Sequence, residues 1–249
     1  VGDQVDLDNI PFYGLAEVTV GGRSCVISQT GFSGESGYEI YLRNATLYAD
    51  DMWDAVLEAG KKHNLMVIAP AHHRRIQAGI LSWGQDLDHE HNPFQCNLGY
   101  QVSLSGKGEW EKKGDYIGKQ ALEKMKADLK DGHKPYKLQL VGFEIGGKPI
   151  DEYAPDFWLV SPGDGGDPCG FITSPWYHPE KGKNIAMGYI PFDGTLNPNG
   201  FPKWELGKKF KVHLPDIYAD EPGVPVDAVT VDVPFTESFN ANTREVVKG

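Results

Sequence analysis

The sequence TGFSGESGYEIYL, residues 30–42, joins a glycine-rich turn to a short apolar strand. Its three evenly spaced glycines allow positive φ angles and let the backbone approach a neighbouring group closely. In the strand that follows, alternation places Glu39 and Tyr41 on the same face. A carboxylate on such a strand is costly to bury unless a donor binds it. Glu39 is therefore either a binding residue or a solvated strand residue.

The composition is that of a globular enzyme or of a fragment of one. The chain has 249 residues, of which 40% are hydrophobic and 24% charged, an ordinary balance for one large or two modest domains. The formal net charge of −11 argues against a nucleic acid or an anionic membrane as partner. No apolar run reaches the ~18 residues of a membrane span.

The chain ends and the cysteines suggest a cellular compartment. The first residues, VGDQVD, have no basic segment leading into an apolar one, so a signal peptide is not predicted. The absence of an initiator methionine predicts a processed or truncated N-terminus. Cys25, Cys96 and Cys169 are odd in number and widely spaced, which predicts reduced thiols and a cytoplasmic protein.

The first part of the chain has a mixed α/β pattern. Residues 10–20 and 24–29 are rich in strand formers, and Gly21-Gly22 between them predicts a hairpin. Apolar periodicity predicts helices over residues 47–63, 69–81 and 116–130.

A polar breaker, KDGHKP at residues 130–135, predicts a domain boundary. The predicted domains are 1–130, the α/β part, and 136–249. In the second domain, short strand patterns alternate with Pro/Gly turns, which predicts a compact antiparallel barrel or sandwich. The predicted strands are residues 138–145, 157–160, 170–173, 185–190, 209–214 and 228–233.

Five motifs, taken in order along the chain, resemble segments of the aminomethyltransferase family. This family includes the T-protein of the glycine cleavage system and tetrahydrofolate-dependent demethylases. The motifs are YEIYL at 38–42, RIQAGILSWGQDLD at 75–88, DYIGKQAL at 115–122, GFITSP at 170–175 and NIAMGYI at 184–190. Each motif is short, and it is their shared order that makes the resemblance specific. The resemblance implies an α+β fold, with a folate-binding α/β part followed by a C-terminal antiparallel β-barrel.

The resemblance also implies tetrahydrofolate as the cofactor. In the family, the Glu at the position of Glu39 accepts hydrogen bonds from the pterin ring, whose edge offers two adjacent N–H donors to a carboxylate. We predict that Glu39, Tyr38, Arg75 and Trp83 bind the cofactor. Aromatic residues are more often core residues, and Arg75 has the alternative of pairing with a nearby acid.

The YEIYL motif matches the demethylase branch, in particular dimethylsulfoniopropionate demethylase, in which the second Tyr lies near the substrate. We therefore predict substrate binding by Tyr41, with Trp176 as a further candidate, since aromatic faces suit sulfonium and ammonium groups. Packing between sheet and helix is the alternative for Tyr41. T-proteins have a folate-contacting Arg at the position of Ala71, and its absence favours the demethylase branch.

Three functions follow from this resemblance. The first is a tetrahydrofolate-dependent demethylase that moves a methyl group from a small donor, such as a sulfonium, betaine or O-methyl compound, to tetrahydrofolate. For such a transfer, the main contribution of the protein to catalysis is to hold donor and acceptor in line. The second is the glycine cleavage aminomethyltransferase. The third is a non-catalytic folate-binding module.

Part of the active site is expected outside this sequence. The family's chain carries a further N-terminal part before the segment that resembles this one, and the family's principal acidic residue lies there. The catalytic residues are therefore unknown, and a companion N-terminal segment or chain is expected.

No metal site is predicted. Residues 88–91, Asp-His-Glu-His, hold two acids and two histidines, but no zinc motif has this spacing. We interpret them as a solvated loop, and the resembled family needs no metal.

Overall fold

The computed structural model of the chain describes residues 5–102, 104 and 116–236. Within these residues the chain forms two compact units, one of the residues up to Ile80 together with Thr236, and one from Leu81 to Phe235. The predicted boundary at residues 131–135 is a turn inside the second unit. Separate folding of residues 1–130 and 136–249 stays a prediction.

The first unit begins with the predicted hairpin. Strands β1, Leu15–Val20, and β2, Arg23–Ser28, pair antiparallel around Gly21-Gly22. The two glycines have φ angles of 55° and 78°, the left-handed values of a two-residue hairpin turn. Strand β3, Glu39–Leu42, pairs antiparallel with β2, which gives a three-stranded sheet of order β1-β2-β3.

One face of this sheet and helix α1, Ala45–Gly60, enclose a small core. Its buried members come from the segment before β1, from β1 and β2 and from α1, and they are Ile10, Val18, Cys25, Ile27 and Met52. A short 3-10 helix, Lys61–His63, continues α1, so the predicted helix over residues 47–63 is confirmed. Met52 is the only buried residue of α1.

The second helix is shorter than predicted. Helix α2 covers only His72–Gln77 instead of residues 69–81. Its end is a Schellman-type turn, in which the Gly79 amide donates to the Ile76 carbonyl and the Ile80 amide to the Arg75 carbonyl. Helical periodicity in the sequence continued past this point, but the backbone turns there.

The glycine-rich turn packs against the end of α2. Gly34 has a φ of 75°, and a Cβ placed on it would lie 2.2 Å from the Cβ of Ala78. Only glycine fits both requirements at this position. The other two glycines of the turn, Gly31 and Gly37, have no neighbouring atom within 4 Å of such a Cβ.

The second unit contains a closed antiparallel barrel of six strands, which confirms the predicted barrel. The strand order is β4-β7-β6-β5-β8-β9. The strands are β4 Leu138–Ile145, β5 Trp158–Pro162, β6 Gly170–His178, β7 Lys183–Pro191, β8 Lys209–Val212 and β9 Val226–Val231. Closure leaves the barrel without an edge strand.

The barrel interior is the main hydrophobic core of the chain. Side chains from every strand meet there, including Phe143, Val160, Ile172, Ala186, Phe210 and Ala228. Helix α3, Lys119–Lys130, lies outside the barrel, where its buried Leu129 packs with Phe94 and Phe192. Because Leu129 precedes the predicted boundary at residues 131–135 and Phe192 follows it, their contact joins both sides of that boundary in the second unit. Among the described residues, no helix is both long and apolar enough to cross a bilayer.

Candidate functional site

The carboxylate of Glu39, the first residue of β3, accepts hydrogen bonds from two hydroxyl groups. Its Oε2 atom accepts hydrogen bonds from the Thr30 Oγ1 hydroxyl and from the Tyr41 hydroxyl, the latter at 2.9 Å. Thr30 opens the glycine-rich turn, and Tyr41 lies two residues along the strand on the same face as Glu39. The turn and the strand therefore build one Thr30–Glu39–Tyr41 cluster. Sequence reasoning had assigned no role to Thr30.

The cluster leaves Glu39 half-buried and Tyr41 exposed, with 55% of its surface accessible. The hydrogen bond to the Glu39 carboxylate, followed by desolvation, raises the pKa of Tyr41 above its ordinary value. The phenol is therefore a protonated donor at neutral pH. The Tyr41 ring lines the open space between β3 and α1, so packing between sheet and helix stays the alternative to substrate binding.

This pKa provides a first test of the cluster. We expect Glu39→Gln to lower the pKa of Tyr41, since the charged acceptor that favours the protonated phenol is removed. An NMR titration of ¹³Cζ-labelled tyrosine, with the resonance assigned through Tyr41→Phe, measures this shift. Glu35→Gln is the matched control, because Glu35 lies in the same turn but pairs with Arg74 at 3.2 Å. An unchanged Tyr41 pKa in Glu39→Gln would contradict the cluster.

Tyr38 faces the other side of the strand from Glu39. It packs against the core around Val18 and Cys25, and its hydroxyl donates to the Leu7 carbonyl at 3.0 Å. These contacts hold the N-terminal segment against the sheet. Cofactor binding by Tyr38 has no support from this placement and stays a prediction.

Arg75 is fully buried, with 0% of its surface accessible. Its Nε donates to His72 Nδ1 at 3.3 Å and its guanidinium to the Ile80 carbonyl at 3.1 Å. The guanidinium also lies 6.0 Å from the ring centroid of Phe32, in the glycine-rich turn. Arg75 therefore supports the α2 end on which the turn packs.

Trp83 and Trp176 belong to the second unit, whereas the Glu39 cluster and Arg75 belong to the first. Trp83 is 61% exposed, and its ring meets His89 edge-on at 4.8 Å. Trp176 lies on β6, opposite Ile185 of β7, and is half-buried. Their predicted roles in cofactor and substrate binding stay predictions.

The structure also reveals a buried polar network around Asp86, which is 1% exposed. The Asp86 carboxylate accepts hydrogen bonds from the Ser82 amide at 2.8 Å, the Thr173 hydroxyl at 2.5 Å and the Ser174 hydroxyl at 2.6 Å. The Tyr189 hydroxyl donates to the Asp86 backbone carbonyl at 2.6 Å. Three motifs that are distant in sequence, at residues 75–88, 170–175 and 184–190, therefore meet at one point.

A β-bulge makes this network possible. The register between β6 and β7 shifts between Ile172 and Ser174. In a regular strand, consecutive side chains point to opposite faces, so only one of Thr173 and Ser174 would reach Asp86. The bulge turns both hydroxyls to the same carboxylate oxygen, Oδ1.

Burial in this region suppresses ionisation of two neighbouring groups. Desolvation raises the pKa of Tyr189, and the nearby Cys96 raises it further. Desolvation also raises the pKa of the Cys96 thiol, which lies 3.4 Å from the Tyr189 hydroxyl. Both groups are neutral at physiological pH, so we assign the network a structural role.

The acid and histidine run at residues 88–91 forms a local turn. His91 Nδ1 lies 2.7 Å from Asp88 Oδ1, and the Glu90 amide donates to the same oxygen at 2.8 Å. The bond from the Glu90 amide, with that from His91, lowers the pKa of Asp88. Across the part of the chain that the structure describes, no group of three or more His, Cys, Asp or Glu side chains is arranged to hold a metal ion.

Comparison with known proteins links this chain to one family. Residues 1–106 match the family model described as GCVT N-terminal domain. The aminomethyltransferase of Halothermothrix orenii is 31% identical over 191 residues, which is 76% of this chain and 48% of the relative. That of Alkaliphilus oremlandii is 32% identical over 202 residues, 79% of this chain and 48% of the relative. This chain spans about half the length of the curated relatives it matches.

A solved structure shares the fold. The crystal structure of glycine cleavage system aminomethyltransferase T from Bartonella henselae matches with a TM-score of 0.61 at 19% identity. The match covers 95% of this chain and 55% of the Bartonella chain. Barrel and three-stranded sheet therefore occur together in a longer aminomethyltransferase.

Proposed function

We propose, from the premise that this chain belongs to the aminomethyltransferase (GCVT) family, that it is the folate-anchoring part of a tetrahydrofolate-dependent one-carbon transferase. The relatives carry the name aminomethyltransferase, so transfer of an aminomethyl-derived carbon is the first candidate reaction. Methyl transfer from a small donor, the demethylase hypothesis, is the second candidate. The matches cover about half of the curated relatives, so we propose the complete activity for a longer protein that contains this chain.

The observation that carries the proposal is the state of the Glu39 carboxylate. Its Oε2 is held by the hydroxyls of Thr30 and Tyr41, while within the described residues no group donates to Oε1. The carboxylate is thus oriented and half-buried, with acceptor capacity remaining. This suits a flat ligand edge with adjacent N–H donors, such as a pterin.

The folate, when bound, supplies the N5 nucleophile that accepts the one-carbon unit. The residues of this chain bind and orient it. Glu39 accepts hydrogen bonds from the pterin, Thr30 fixes the carboxylate rotamer, and the Gly34 turn holds Thr30 in place. The family's acid that assists the transfer lies outside this chain, so the catalytic residues stay unknown.

One observation favours the second candidate. The Tyr41 ring is exposed next to the anchoring carboxylate, and its hydroxyl is fixed by that carboxylate. A fixed aromatic face near a carboxylate suits a donor with a cationic sulfonium or ammonium group. Ala71, where the T-protein has its folate-contacting Arg, is the capping residue before α2.

The candidate reactions are separated by an assay of the natural full-length protein with tetrahydrofolate. Each donor is offered separately: an aminomethylated lipoyl carrier, dimethylsulfoniopropionate, betaine and an O-methyl aromatic compound. Production of 5,10-methylenetetrahydrofolate and ammonia from the carrier supports the first candidate. Production of 5-methyltetrahydrofolate from any of the other three supports the second. Folate binding without any product would leave only the folate-binding module.

Two Tyr41 variants test, in the same assay, whether the donor contacts the Tyr41 ring. For a cationic methyl donor we expect Tyr41→Leu to raise KM for the donor, because the aromatic face is lost, and Tyr41→Phe to retain most of the donor affinity. Equal donor KM for the two variants would argue against a cationic methyl donor at Tyr41. A cytoplasmic location, proposed from the cysteines, fits either reaction.

A further inference from the structure

A tight surface loop in the second unit, NPNGF at residues 197–201, holds an Asn-Gly pair. We call it the Asn199 loop. It connects Leu196 to Pro202, which form an antiparallel bridge. Asn199 is exposed. Gly200 has a φ of 77°, and a Cβ placed on it would have no neighbouring atom within 4 Å. The pair is therefore open to water.

An Asn-Gly pair carries the atoms for a reaction of the chain with itself. The Gly200 nitrogen attacks Cγ of Asn199 and forms a new C–N bond. The bond from Cγ to Nδ2 breaks, and ammonia leaves with the proton of the Gly200 nitrogen. Water then opens the resulting succinimide at either carbonyl, which gives aspartate or isoaspartate. Glycine favours this ring closure, because it has no Cβ to crowd the attacking nitrogen.

Asn199 is the only asparagine of the sequence that precedes a glycine. Each of the others precedes proline, which has no N–H to lose, or a residue whose side chain crowds the nitrogen. Asn184, for example, is buried in β7, where its side chain bonds three backbone groups. Within the described residues, Asn199 makes one hydrogen bond, which its backbone amide donates. Its side-chain amide is therefore available for the reaction.

Asn197 restrains the loop through four hydrogen bonds. Its Oδ1 accepts from the Asn199 amide at 2.9 Å and from the Phe201 amide at 3.1 Å. Its carbonyl accepts from the Gly200 amide at 2.9 Å, and its own amide donates to the Phe201 carbonyl at 2.8 Å. The nitrogen that must attack Asn199 is thus engaged with Asn197. Ring closure requires that bond to break.

We propose that Asn199 is a self-modification site, at which the chain converts asparagine to aspartate and isoaspartate, and that Asn197 slows the conversion. Each event adds one negative charge. Isoaspartate also adds a carbon atom to the main chain two residues before Phe201. The proposal depends neither on folate binding nor on the reaction.

The conversion affects packing on α3. The Phe201 ring stacks on Phe94 with their centroids 6.3 Å apart, and it lies 5.4 Å from Nζ of Lys126 on α3. Phe201 also packs directly on Gly99, where an added Cβ would lie 2.7 Å from its ring. An extra main-chain carbon in the Asn199 loop shifts Phe201 from this close fit, so conversion lowers the stability of the second unit.

Peptide mapping of the natural full-length protein tests the site. The protein is incubated at mildly alkaline pH, sampled over several weeks and digested with trypsin at mildly acidic pH, which stops further conversion. The peptide of residues 184–203 contains Asn184, Asn197 and Asn199, so two asparagines serve as internal controls. We expect aspartate and isoaspartate to accumulate at position 199 alone, faster at higher pH. Persistence of Asn199, or equal conversion of all three, overturns the proposal.

Two variants test the role of Asn197. Asn197→Ala removes the Oδ1 acceptor, so conversion of Asn199 becomes several-fold faster. Asn197→Asp retains an acceptor oxygen, so the rate stays close to that of the wild type. A synthetic peptide of residues 184–203 gives the rate without the folded loop and is expected to react faster than the wild-type protein. Equal rates in the peptide and the protein, or in Asn197→Ala and the wild type, overturn this role.

The unfolding midpoint tests the effect on packing. After the same incubation we expect a lower midpoint for the wild-type protein and an unchanged one for Asn199→Ser, which cannot form the succinimide. An equal change in both proteins, or none in a wild-type sample that has converted, contradicts the coupling to α3.

Discussion

Glu39→Ala weakens tetrahydrofolate binding to the full-length protein by about 1.5–3 kcal/mol, the usual range for hydrogen bonds to a charged group. The loss corresponds to roughly a tenfold to hundredfold increase in Kd. The physical reason is that the two hydroxyls on Oε2 hold the carboxylate in one orientation, and alanine offers the pterin no acceptor at that position. Titration calorimetry at fixed pH measures the change.

Two further variants separate the role of Glu39 from general damage. Glu35→Ala removes an acid from the same turn and leaves folate affinity unchanged, since Glu35 pairs with Arg74 on the surface. Thr30→Val keeps the side-chain shape but loses the hydroxyl, so it lowers the affinity less than Glu39→Ala does, and Thr30→Ser restores it. Unchanged folate affinity in Glu39→Ala would remove the basis of the proposed function.

Asp86→Ala lowers the free energy of unfolding by about 2–4 kcal/mol, because buried donors left without an acceptor cost roughly 1–3 kcal/mol each. The substitution removes the acceptor of the Thr173 and Ser174 hydroxyls and of the Ser82 amide. Chemical denaturation of the chain, followed by far-UV circular dichroism, measures the loss.

Asp88→Ala is the matched control for this prediction. Asp88 lies two residues further along, and its side chain is 52% exposed, so its removal changes the free energy of unfolding little. Asp86→Asn retains an acceptor oxygen and is expected to fall between the wild type and Asp86→Ala. Equal stability of Asp86→Ala and Asp88→Ala would show that the network does not stabilise the barrel.

The barrel strands could be located from sequence because their signals are local. Each strand is a short run of alternating or continuous apolar residues between Pro/Gly turns, and strand β4 was predicted with its observed ends, residues 138–145. The hairpin at Gly21-Gly22 was predicted for the same reason. Helix α2 was predicted too long, because apolar periodicity does not indicate the Schellman-type turn that ends the helix.

The candidate site divides in the same way. Glu39 and Tyr41 share a face because strand alternation is a property of the local backbone, so their juxtaposition was accessible to sequence reasoning. The contribution of Thr30 could not be predicted from the sequence. The path of the glycine-rich turn between residues 30 and 39 depends on the packing of Gly34 against Ala78, which is a tertiary contact. The predicted roles of Tyr38, Arg75, Trp83 and Trp176 concern a bound ligand and stay predictions.

Local periodicity, turn residues and motif order were therefore sufficient for the strands, the hairpin, the α+β class and the family. Only the tertiary structure shows that Asp86, Thr173, Ser174 and Tyr189 form one network. These residues lie far apart in sequence, and a β-bulge places two consecutive hydroxyls on one side of β6. Hydrogen bonding between distant segments produces no periodic pattern in the sequence. The network could therefore not be predicted, and it is seen only in the structure, where the closed barrel brings those segments into contact.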